Sequence, residues 1–283
     1  MGDAETTLVK RTLLSSGPFR PLLYALVMAY ALLLVALPLL QLVQQAFTRG
    51  GRVFLSALAN PLALAALQLS LWTALVVAVI NALLGTASAW VLVRYKLPGR
   101  AWISAAVDLP LAIPTLVTGV MLALLYGPES FLGSWLHACG IEIAFARGGI
   151  LLALLFVTLP FVIRAVEPVL FEMDPAEEEA ARMLGAGAWT TFRRVVFPAI
   201  APAALSGAVR SLSRSLGEFG SIVVIAGNIP FSTLTAPVFI FGEIESGSTQ
   251  SAAALSVVLL VLALSLHGLA RFLENRTGAR RAR

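Results

Sequence analysis

Arg210, Arg214 and Glu218 recur every fourth residue in a stretch whose other side chains are small or apolar. On a helix that spacing places them on one stripe, so Arg214 can pair with Glu218 while Arg210 supplies excess positive charge. No nucleophile-and-base constellation accompanies them, and the chemistry they offer is electrostatic. They can line a passage for a dehydrating anion, with Glu218 preventing tight retention, or they can only fasten helices together. Ser211 and Ser215 add hydroxyls along a neighbouring stripe. A second stretch runs from Glu177 through Glu178, Glu179, Ala180, Ala181, Arg182, Met183 and Leu184 to Gly185. Asp174 can cap a helix there with Pro175 at its first position, and the three glutamates complement the positive end of its dipole. Ala180 and Ala181 leave a small-residue surface that another protein can approach closely. Gly185 and Gly187 end that helix, and Trp189 and Phe192 begin the next. The bland alternative is a solvated amphipathic loop.

The elements that position these residues are membrane spans. Of 283 residues, 59% are hydrophobic and only 12% charged, with a mean hydropathy of +0.89, against about a quarter charged in a soluble domain. An arginine left facing lipid at mid-span costs roughly 2.5 to 3.5 kcal/mol, so Arg210, Arg214 and Glu218 must face protein or water. About twenty apolar residues cross the hydrocarbon. Long apolar runs predict spans near 21–43, 66–92, 103–127, 148–170 and 246–270, plus an apolar stretch from Pro198 to about Gly227, making six crossings in an all-α chain. The first is too long for a signal-peptide core and is read as retained. Asn60 and Pro61 interrupt the start of the second, while Asp108, Pro110 and Pro114 sit inside the third, where Asp108 is expected to partner an arginine. The chain divides into a segment 1–20, a membrane-spanning body 21–273 containing the polar loop 171–198, and a basic tail 274–283.

Short loops rich in Lys and Arg stay cytoplasmic. With both termini inside, the inner segments hold fifteen basic residues, among them Arg94, Lys96, Arg100, Arg182, Arg193 and Arg194, and the outer loops hold Arg49, Arg52 and Arg147. That asymmetry places the 171–198 loop in the cytoplasm. The net charge of +5 is spread between apolar runs, which argues against nucleic-acid binding. Cys139 is the only cysteine, so no intrachain disulfide or cysteine-rich zinc site can form, and its neighbour His137 reads as an outer-loop coincidence. No Gly-Lys pair exists for a phosphate-cradling loop, so the chain offers no nucleotide site of that kind. Gly185-Ala186-Gly187 lacks the third glycine of a dinucleotide fingerprint.

Glu179, Ala180, Ala181, Gly185 and Pro198 resemble the cytoplasmic signature of the permease family of ATP-binding-cassette importers: Glu-Ala-Ala, Gly four residues after the second Ala, and Pro thirteen after that Gly. The resemblance implies a type I importer permease architecture with a coupling helix seated in a groove of an ATP-hydrolysing subunit. Ser213 to Gly220, followed by Ile225-Ala226-Gly227-Asn228-Ile229, is similar to the sulfate/thiosulfate permease subunits of the T (also called U) type. Asp108-Leu109-Pro110 and Pro160-Phe161-Val162 with Arg164 are similar too. The resemblance covers about residues 20–270. It implies a substrate path through Arg210, Arg214, Ser215, Glu218 and Asn228. It also implies a second permease subunit of the W type, a dimeric ATPase, an external sulfate-binding protein and a bacterial inner membrane. Molybdate permeases share the Arg214–Glu218 type of segment and remain an alternative, and an ion-coupled secondary transporter is the alternative from another class.

Overall fold

The computed structural model describes residues 20–281, with side chains over 21–273. Most of the expected 1–20 segment and residues 282–283 of the tail lie outside the described residues. Five helices are long and apolar enough to cross a bilayer: α1 (Pro21–Phe47), α3 (Pro61–Arg94), α7 (Arg147–Glu172), α9 (Ala188–Leu216) and α12, whose apolar part is Thr249–Leu273 and which continues to Arg281. Short helices join them: α2 (Gly51–Leu58), α6 (Phe131–Ala138), α8 (Pro175–Met183), α10 (Gly220–Ile225) and α11 (Ala236–Glu245). The sixth crossing is a pair, α4 (Arg100–Ala112) and α5 (Thr115–Tyr126), bent by 109°. Its contacts show that it traverses. Arg100 at its start lies over the Phe171 ring, and Leu122 and Tyr126 near its end pack beside Leu152 and Ala153. Phe171 and Leu152 are nineteen residues apart on α7, roughly 28 Å.

Three expectations need correcting. The second span begins at Pro61, since Asn60 does not interrupt the helix but caps it, its side chain accepting from Leu62 N at 2.9 Å with Pro61 in the first turn. The third span is not one helix: Ile113, ahead of Pro114, is forced extended at ψ 129°, and the chain restarts at Thr115. The apolar stretch after Pro198 likewise does not run unbroken to Gly227, because α9 ends at Leu216. Pro198 itself falls inside α9, just after a π-helical turn at Phe192–Val196, where a missing N–H is tolerated.

The core is built on close approach of small residues, as helix association in lipid requires. The half of α3, α7 and α9 nearer α8 packs through Ala89, Leu92, Ile163, Val166, Val196 and Ile200. A side chain at Gly207 of α9 would meet Val162 Cα at 2.8 Å and Phe161 O at 3.0 Å, so α7 and α9 touch backbone to backbone. Gly119 of α5 stands as close to Ser221 of α10. At the other end, α11 tucks against α3 and α12 through Ala63, Ala66, Phe239 and Leu255, with Ala236 N donating to Ser70 Oγ.

Candidate functional site

The charged stripe is assembled differently from its spacing. Arg210 and Arg214 lie one turn apart on α9, but Glu218 lies beyond the helix end and its Gly217 cap. The pair survives: Arg214 Nη2 is 2.7 Å from Glu218 Oε2. Glu218 is 1% exposed, and its Oε1 accepts from Ser221 N (3.0 Å) and Ser221 Oγ (2.9 Å) at the start of α10. A carboxylate there also meets the positive end of that short helix. The Arg214 side chain keeps 35% exposure. The Arg214 guanidinium thus stands in front, with the Glu218 carboxylate buried behind it. Ser215 is buried, and its Oγ has no hydrogen-bond partner among the described residues. Asn228 closes the turn after α10 at φ +54°, a conformation asparagine tolerates, and its Nδ2 donates to Val223 O.

Beneath the stripe is a polar knot that spacing alone could not reveal. Asn81 of α3 donates to Thr158 Oγ1 of α7 (2.8 Å) and to Ser211 Oγ of α9 (3.1 Å), and Ser211 donates to Thr158 at 2.9 Å. All three side chains are fully buried. Each looks ordinary in its own span, and the signal was one hydrogen-bonding side chain in the middle of each of three apolar helices.

Toward the end of the bundle that carries α8, the arginine that Asp108 meets is Arg164. Its guanidinium takes both Asp108 oxygens (2.8 and 2.6 Å), donates to Ser104 O and Oγ, and pairs with Glu167. The broken crossing is thereby clamped to α7 at α4, one turn before its break.

The motif segment forms a projecting helix. Asp174 caps α8 through Ala176 N (2.9 Å) and Pro175 occupies the first turn. Gly185, at φ +83°, ends it: Gly185 N donates to Arg182 O and Ala186 N to Ala181 O, the two reversed bonds of a Schellman turn. A glycine is required there for its φ, since nothing lies within 4 Å of an added Cβ. Glu179 and Ala180 are exposed and Ala181 half-buried. Just past them, Met183 and Leu184 are each 89% exposed and Trp189 is 71% exposed. This apolar tip was missed in sequence, where Met183 and Leu184 pass for core residues. Elsewhere, His137 lies 3.8 Å from Glu142, and Cys139 is exposed. No group of three potential metal ligands occurs among the described residues.

Six crossings, a capped helix projecting between the fourth and fifth, and a charged turn at the end of the fifth define a permease subunit of the ATP-binding-cassette importer type. The chain belongs to the family of binding-protein-dependent transport system inner membrane components, which matches residues 81–279. A probable sulfate transport system permease protein cysT of Nephroselmis olivacea is 42% identical over 86% of this chain and 86% of its own. The CysW permease of Synechocystis is 41% identical over 92% and 95%, and the CysT permease of Escherichia coli K12 38% identical over 89% and 91%. Similarity to the two types is thus equal in degree. Among solved structures, a bacterial alginate transporter in complex with a periplasmic protein superposes with a TM-score of 0.72 at 19% identity, over 90% of this chain and 94% of that one. That likeness establishes the fold.

Proposed function

We propose that this chain is the T-type permease of a sulfate or thiosulfate importer in the bacterial cytoplasmic membrane, with both termini cytoplasmic. It binds no nucleotide itself. Its partners are a related permease of the W type, a dimeric ATPase that holds ATP and Mg, an external sulfate-binding protein, and the surrounding lipid. The observation that carries this reading is α8: a rigid helix whose Glu179 and Ala180 side chains and Met183–Leu184 tip are exposed. It suits the groove of a motor subunit. The choice of anion rests on the relatives named as sulfate permeases. Arg210 and Arg214 supply the positive charge that a divalent oxyanion needs, Glu218 orients Arg214, Ser215 offers a spare hydroxyl, and Asn228 shapes the turn beyond. Pro198 lies inside the span that α8 pushes, just after its π-helical turn.

In vesicles carrying the assembled importer, labelled sulfate is expected to enter only with ATP and the binding protein, and thiosulfate is expected to compete. Uptake by the purified chain alone under a proton or sodium gradient would contradict the reading in favour of a secondary transporter. Stronger competition by molybdate than by thiosulfate would move it to the molybdate permeases.

A further inference from the structure

Three consecutive glutamates open α8, and successive residues on a helix point about 100° apart, so they cannot share a task. Glu177 and Glu179 are exposed, whereas Glu178 is 8% exposed and turns toward the bundle. There its Oε1 lies 2.7 Å from Nη2 of Arg94, the last residue of α3, while Arg182 approaches its other oxygen at 3.7 Å. The Arg94 and Glu178 side chains are 19% and 11% exposed, which protects their attraction from salt screening. Four residues before Arg94, on the same face of α3, the Trp90 ring lies 5.1 Å from Phe192 at the start of α9. Both flanks of the projecting segment thus grip one helix end. An open pocket of about 480 Å³ lies beside the contact, lined by Trp90, Arg94, Tyr95, Pro175 and Glu178. From Arg94, α3 runs about 20 Å without a break to Asn81, which holds Thr158 and Ser211, the neighbour of Arg210.

We propose that the Arg94–Glu178 ion pair is a strut through which α8 drives α3 directly, and through Asn81 the turn of α9 that carries Arg210. This rests on the importer reading above. Glu178 is then a positioning residue: Glu179 and the exposed tip meet the motor, and Glu178 passes the movement inward. The strut adds a second route from motor to path, alongside the continuous chain from α8 into α9.

The test uses the whole importer in vesicles and reads sulfate taken up per ATP hydrolysed. Glu178→Gln keeps shape and removes the charge, and Arg94→Gln removes the charge on a shorter side chain. They are expected to leave the ATPase attached and stimulated by the binding protein, while uptake per ATP falls about tenfold, within the range of ordinary coupling between sites. Exchanging the charges, Arg94→Glu with Glu178→Arg, is expected to recover most of the ratio. A wild-type ratio in Glu178→Gln, or an exchange no better than the single variants, overturns the strut while leaving the importer standing. Wild-type vesicles without ATP-driven uptake overturn the importer reading, and the strut with it.

Discussion

Arg214→Ala is expected to abolish sulfate uptake, and the double variant Arg214→Met/Glu218→Leu to remain inactive while regaining assembly. Removing Arg214 strands a carboxylate that is 1% exposed. Breaking a buried pair this way typically costs about 3 to 5 kcal/mol. The lower end applies here, because Ser221 still donates twice to Glu218 Oε1 and Arg214 is itself 35% exposed. The single variant therefore loses assembly as well as transport and cannot separate the two roles. The double variant can, since replacing both charges by apolar side chains of similar size is often neutral or better for stability. If Arg214 presents charge to a passing anion, the assembled double variant transports nothing. Recovery of uptake together with assembly would show that the pair only fastens α9 to α10.

Gly207→Val is expected to leave little folded chain in the membrane, measured as the fraction surviving detergent extraction and heating. An added Cβ already meets Val162 Cα at 2.8 Å, and that atom is backbone, which cannot rotate away. Valine adds two methyls at the same place, so α7 and α9 must separate and open the contacts of Val166, Val196 and Ile200. Overpacking typically costs about 1 to 3 kcal/mol, and more where backbone must shift. Gly207→Ala is expected to do the same more mildly. Gly268→Ala on α12, where nothing lies within 4 Å of the new Cβ, is expected to change nothing. Equal survival of Gly207→Val and wild type would contradict the backbone contact.

The crossings were legible because lipid imposes a simple rule, and long apolar runs obey it. The errors fell where one residue type serves two purposes. Asn60-Pro61 reads equally as an interruption or as a helix start, and only the bond to Leu62 N decides. Pro114 reads as a tolerated kink, yet its effect on Ile113 breaks the helix outright. The spacing of Arg214 and Glu218 rightly paired them, although Gly217 ends the helix between them and hands Glu218 to α10. The Asn81–Thr158–Ser211 knot joins residues 77 and 53 positions apart and forms only once three spans pack, so the lone polar residue in each span does not say which others it meets. Likewise, nothing in three adjacent glutamates says which one faces Arg94.

If α8 stands on the cytoplasmic side and seats in a separate motor subunit, its tip must be reachable from that side alone and must be covered on assembly. Both are tested most directly by labelling Leu184→Cys, made in a Cys139→Ser background, with a membrane-impermeant maleimide. Leu184 is 89% exposed, and native Cys139, exposed in the loop between α5 and α7 at the opposite end of the bundle, reports the other face in the parent chain. The thiol introduced at position 184 is expected to react only in inside-out vesicles and to be shielded when the ATPase is assembled, while Cys139 reacts only in right-side-out vesicles. Labelling of the Leu184→Cys variant from the outside, or equal labelling with and without the ATPase, would contradict a cytoplasmic coupling helix.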